Sequence, residues 1–130
     1  MFLIHSIDGG RGCGLEYLPC GAITPKVGMA MTQTSGNLAV AAGAVKPTYI
    51  CACEKESACT AGDIIPVMRV LPDMVLETTI SAAATSIKLG SKVTLSADGL
   101  QVTATTTDGV AEVVYMEDTA AGSVVRVRFN

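Results

Sequence analysis

Two stretches of this chain are near copies of each other: TAGDIIPVMRV, residues 60–70, and AAGSVVRVRF, residues 120–129. Laid together without a gap, Gly62 meets Gly122, Ile64 meets Val124, Ile65 meets Val125 and Val67 meets Val127. Each stretch reads as an Ala-Gly turn feeding a strand, and self-similarity at a fixed period points to a fold built from two similar units. The pairing extends backwards in order. Leu15-Glu16 is answered by Leu76-Glu77, Lys26-Val27 by Lys92-Val93, and Leu38 and Val40 by Leu100 and Val102. The alternating Val27, Met29 and Met31 correspond to Val93, Leu95 and Ala97, while Ile50, Cys51, Cys53 and Glu54 correspond to Val113, Val114, Met116 and Glu117. The units span roughly 15–70 and 76–129, within one domain over 15–130.

The period within the units is that of strands. In KVTLSADGLQVTAT, residues 92–105, an Asp98-Gly99 turn of type I′ sets Leu95 against Val102 and Ala97 against Leu100 on one face, with Ser96, Gln101, Thr94 and Thr103 on the other. Asp108-Gly109 marks another turn. In the last strand Val125, Val127 and Phe129 share a face opposite Arg126 and Arg128. Helical spacing is confined to ISAAATSIKL, residues 80–89, and to a turn near Glu54–Cys59, so at most one or two short helices are expected. Pro66 places the first unit's last strand at a sheet edge or makes it irregular. The expected fold is all-β, a small barrel or sandwich of two similar halves.

Residues 1–14 read as a flexible, extended N-terminal arm, because Gly9, Gly10, Gly12 and Gly14 resist fixed structure. Its apolar tip, Phe2, Leu3 and Ile4, is a liability in water. With His5 and Arg11 it forms the expected contact to a partner or neighbouring subunit.

Composition narrows the function. Of 130 residues 49% are apolar, 16% charged and 4% aromatic, so aliphatic side chains and methionine must build the core. A net charge of -3 with no basic run gives no footprint for nucleic acid. The leading apolar run breaks at His5 and Asp8, too short for a secretory h-region, and nothing approaches a membrane span, so synthesis in a cytoplasm is expected. The five cysteines, Cys13, Cys20, Cys51, Cys53 and Cys59, are an odd number, which disfavours a disulfide framework.

No catalytic, cofactor or metal site is expected. Cys51-x-Cys53 with Cys59 lacks a strong zinc spacing, and its repeat partners are ordinary apolar residues, so these thiols read as core. His5 is the only histidine and lies in the expected arm, away from any nucleophile it could serve. The acids Glu54, Glu56, Glu117 and Asp118 fall in polar turns. DGGRGCG lacks the Gly-Lys-Ser/Thr ending of a phosphate loop. A duplicated small barrel also calls to mind biotinyl and lipoyl carriers, but Arg69 stands where the modifiable lysine would be.

Residues 23–70, ITPKVGMAMTQTSGNLAVAAGAVKPTYICACEKESACTAGDIIPVMRV, resemble the tailed-phage head-decoration proteins, the capsid-cementing proteins of the lambdoid type. The shared order is a Thr-Pro step (Thr24-Pro25), an apolar strand, a Ser/Thr-rich turn, a short Leu-x-Val strand (Leu38, Val40), a Gly/Ala-rich link and an apolar strand entering an Ala-rich turn. GVAEVVYMEDTAAGSVVRVRF is similar in style to their β-barrel relatives. The resemblance implies a homotrimer without enzymatic activity, seated on the outer surface of the expanded capsid. Its partner would be the major capsid protein, engaged in part through the N-terminal arm. A tail or fibre β-module that never touches a capsid lattice is the alternative.

Overall fold

The computed structural model describes residues 1–7 and 13–130. It is all-β, with no helix among the described residues and therefore none long and apolar enough to cross a membrane. The strands are β1 (Leu3–Ile7), β2 (Leu15–Cys20), β3 (Ala30–Thr34), β4 (Asn37–Val40), β5 (Tyr49–Cys51), β6 (Asp63–Arg69), β7 (Met74–Thr79), β8 (Lys92–Val93), β9 (Ala111–Met116) and β10 (Val124–Arg128). The first unit closes into a barrel, β2-β4-β3-β5-β6, and the second forms a sheet in the order β1-β7-β10-β9-β8.

Backbone hydrogen bonds show how closely the units correspond. Gly62 and Gly122 both take positive φ, +98° and +85°, and donate to the carbonyls of Cys20 and Ile80 at 2.8 and 2.7 Å. Gly28 and Gly90, also at positive φ, donate to Cys51 and Val113 at 2.9 and 2.8 Å. Met29 N–H bonds Lys26 as Ser91 N–H bonds Lys88, and Gly21 N–H bonds Leu38 as Ser81 N–H bonds Val102. The equivalent pairs are therefore Cys20 with Ile80, Lys26 with Lys88, Cys51 with Val113 and Leu38 with Val102.

These bonds correct the register read from sequence. Leu15 corresponds to Val75 rather than Leu76, Cys51 to Val113 rather than Val114, and Lys26 to Lys88 rather than Lys92. A one-residue slip turns a strand residue to the other face, which is why Leu76 is buried while Leu15 is exposed.

Four other expectations change. Residues 80–89 are not a helix: Ile80 bridges Val102, turns and irregular chain follow, and the Ala84 N–H is taken by the Thr119 carbonyl at 2.8 Å, which removes a donor that a helix would need. The 92–105 hairpin keeps the expected Leu95–Val102 pairing, and the Thr94 and Thr103 hydroxyls meet at 2.7 Å. Its turn is not type I′, because Gly99 has positive φ and Asp98 does not. Pro66 lies inside the barrel wall, with β6 between β2 and β5. Its missing N–H falls just past the last β5 pair, Cys51 with Val67, where Ala52 N–H still reaches the Pro66 carbonyl at 3.0 Å.

The fourth change concerns the arm. Over Leu3–Ile7 it is a strand, antiparallel to β7, and Phe2 is 1% exposed. Phe2 packs edge-to-face on Phe129 at 5.8 Å between ring centres, and its N–H donates to the Gly28 carbonyl. Burial of Phe2, the packing of Ile4 and Ile7 on the same core and the backbone bonds to β7 together offset the entropy of ordering a short terminal strand. Asp8–Gly12 lie outside the described residues.

Two apolar clusters hold the fold together. One fills the barrel, around Met31, Leu38, Cys51, Ile65 and Val67. The other lies under the second sheet, around Leu76, Ile80, Val113, Val125, Val127, Phe2 and Phe129, and it takes in Ala30, Ala41 and Ile50 from the barrel's outer side. One side of the barrel wall is thus spent on the second unit, which also takes in Met68 near the end of β6, while Tyr17 and Ile64 on the β2–β6 side stay exposed.

Candidate functional site

The β2–β6 side is built by strand alternation. Ile65, Val67 and Cys20 point into the barrel and are buried, so their neighbours point out. Opposite residues share a face, which stacks Leu15 with Met68, Tyr17 with Pro66, and Pro19 with Ile64 on the outside. Tyr17 is 65% exposed, Ile64 59% and Leu15 51%. A closed barrel gains nothing in stability from large apolar groups held in water on its outer wall, and these three stand close together on it.

The nearest charges are already engaged. Arg69 grips Glu16 through two hydrogen bonds of 2.9 and 2.8 Å, with its guanidinium over the Tyr49 ring at 5.0 Å. The outer row of Leu15, Tyr17, Pro19, Ile64, Pro66 and Met68 is therefore free of charged side chains, and this ion pair lies on the other face at the strand end.

The N-terminal residues expected to meet a partner are divided by the fold. Phe2 belongs to the protein's own core, so it is corrected from partner contact to core residue. Leu3 and His5 are exposed on β1 and Ile4 is half-buried. Arg11 lies outside the described residues. Sequence reading missed Leu15, Tyr17 and Ile64. The signal was present in the β6 alternation, which assigns Ile64 and Ile65 to opposite faces of a strand whose inner face is already apolar.

Four of the five cysteines gather at one end of the barrel. Cys20, Cys51 and Cys59 are buried, Cys53 is half-buried, and the Cys51 and Cys53 sulfurs are 3.9 Å apart. Burial, then the neighbouring thiols, push Cys20 up to about 11 and Cys51 up to about 12. Such thiols are poor nucleophiles at neutral pH. No group of three or more His, Cys, Asp or Glu side chains among the described residues is placed to hold a metal ion. His5, on β1, belongs to the other sheet.

A recess of about 460 Å³ opens in the second unit between Ile87–Leu89 and Tyr115–Thr119. Lys88, Tyr115, Glu117, Asp118 and Thr119 supply its polar lining.

A scan of known protein families finds no match for this chain, and a search of curated proteins finds none either.

Proposed function

We propose that this protein decorates the heads of a tailed phage: it binds the outer surface of the expanded capsid as a homotrimer and stabilises the shell by bridging major capsid subunits. The observation that carries this reading is the exposed apolar wall of Leu15, Tyr17 and Ile64, on the unit whose order of features resembles the decoration proteins. The work is mechanical. A protein that binds the expanded shell better than its precursor stabilises the expanded state by linkage, and weak contacts repeated over a symmetric lattice sum to a firm attachment. Neutral and apolar contact surface suits this role.

Cosedimentation tests it. The protein is expected to pellet with expanded empty heads assembled from the major capsid protein of its own genome, and to remain in the supernatant with unexpanded heads. Failure to pellet with expanded heads, or a genome that encodes no such capsid protein, sinks the reading in favour of a tail or fibre component.

A further inference from the structure

The two units differ at one sheet edge. Gly62 donates to the Cys20 carbonyl, so at Cys20 the backbone faces β6. Bonding direction alternates along an antiparallel strand, so Glu16 and Leu18 also face β6, while Leu15 and Tyr17 direct N–H and C=O the other way. In the second unit Gly122 donates to Ile80, which makes Val75 and Glu77 the equivalents of Leu15 and Tyr17. Val75 and Glu77 are covered: they pair with Ser6 and Leu3 of β1. Among the described residues no strand pairs with that side of β2 before its single bridge from Cys20 to Leu38.

We propose that the open edge of β2 at Leu15 and Tyr17 takes an extended, uncharged, apolar segment of a partner polypeptide as an added antiparallel strand, in the place that β1 holds on β7. The occupant's chemistry follows from the template and the surroundings. On the equivalent edge the fit is made by FLIHSI, a short segment rich in apolar residues and without Asp, Glu, Lys or Arg. Beside the open edge stand Tyr17, Leu15 and Ile64, and the one acid on β2, Glu16, is held by Arg69. Pro19 has no N–H, which confines the new pairing to Leu15 and Tyr17. A second copy cannot lend its β1 without withdrawing Phe2 from its own core. Strand addition joins backbone bonds, which attach any extended chain, to side-chain contacts that select an apolar one. In placing the partner on a capsid subunit the proposal rests on the decoration reading; the edge itself does not.

Amide exchange tests the edge with a synthetic peptide of residues 1–7, MFLIHSI, as the probe. In the free protein the Leu15 and Tyr17 amides should exchange at least about a hundredfold faster than those of Glu16 and Leu18. Saturating peptide should slow Leu15 and Tyr17 about tenfold or more, and Leu15→Pro, which removes an edge donor at a position where a strand tolerates proline, should abolish the effect. Unchanged exchange overturns the proposal. Protection of both amides in the free protein that grows with protein concentration also overturns it, since a second copy then owns the edge. Tyr17→Lys, which keeps the backbone and adds an edge charge, and Leu15→Pro should each weaken pelleting with expanded heads about tenfold. Undiminished pelleting of both variants overturns the edge while leaving the decoration reading intact; loss of pelleting by the wild type with peptide protection intact does the reverse.

Discussion

The outward-facing row across β9, β10 and β7 reads Tyr115, Arg126, Glu77, and ends on Leu3 of β1. Arg126 bonds Glu77 at 3.0 Å and lies 4.4 Å over the Tyr115 ring, so this face is charged, satisfied and capped. The corresponding row in the first unit has Pro66 where Arg126 stands and Tyr17 where Glu77 stands, and among the described residues no strand pairs beyond Tyr17. One topology thus carries two surfaces. The second unit has completed its edge with the chain's own N-terminus, and the first presents an apolar wall whose β2 edge no described strand covers at Leu15 and Tyr17. Pro66 and Arg126, aligned by the repeat, mark that division.

The largest effect should come from removing the cap. Phe2→Ala is expected to cost about 3–5 kcal/mol, as for other buried phenylalanines, read as a lower urea midpoint, with exchange rising along β7 before it rises in β6. If β1 were a free arm, the midpoint would not move, and the contrast between the two edges would collapse.

Next come two equivalent glycines with unequal surroundings. Gly28 and Gly90 both have positive φ, so alanine at either costs about 1–2 kcal/mol from backbone strain. At Gly28 a Cβ would also stand 2.5 Å from the Met1 Cβ and 2.9 Å from the Phe2 nitrogen, whereas at Gly90 it would meet nothing within 4 Å. Gly28→Ala should therefore destabilise more than Gly90→Ala in parallel urea titrations. Equal losses would mean that Met1 and Phe2, ahead of β1, do not press on the barrel.

The two cores should also part with pH, because the thiols lie in the barrel. Burial in the native state pushes the Cys20 and Cys51 thiols from their ordinary value near 9.0 up to about 11 and about 12. Above pH 9 the unfolded chain loses protons that the native state keeps, so stability is at its plateau below pH 9 and falls as pH rises toward 11–12. Cys51→Val should flatten part of that slope. A urea midpoint that is level from pH 8 to 11 would contradict the burial of these thiols.

Much of this was legible in the residues, at the level of faces more than of register. Alternation in β10 assigned Val125, Val127 and Phe129 to the core, and all three are buried. The repeat located both units because Gly62 and Gly122 need the same positive φ. Register failed where identity was weighed above parity: matching Leu15-Glu16 to Leu76-Glu77 joined an outward leucine to an inward one. The Lys-Val pairs likewise drew attention from Lys26 and Lys88, which make the same turn. The N-terminus was misread because its glycines follow the strand and say nothing of Phe2, whose partner Phe129 lies 127 residues away in sequence. The open β2 edge could not be read at all, since it exists only by contrast with an edge that a distant segment fills.

The smallest effect on folding should fall where the effect on function is greatest. Tyr17→Ser and Ile64→Ser change side chains that are more than half exposed on the outer wall, and substitutions at such sites usually shift stability by no more than about 0.5 kcal/mol. Neither removes a bond between β2 and β6, because those bonds are made by the backbone of Glu16, Leu18 and Cys20. Both variants should keep the wild-type urea midpoint and lose pelleting with expanded heads. The same change made at Tyr115, on the capped face, removes the ring under Arg126 and should leave pelleting alone. If Tyr115→Ser weakened attachment as much as Tyr17→Ser, the partner would not distinguish the two units, and the apolar wall would be no more than the exposed side of a barrel.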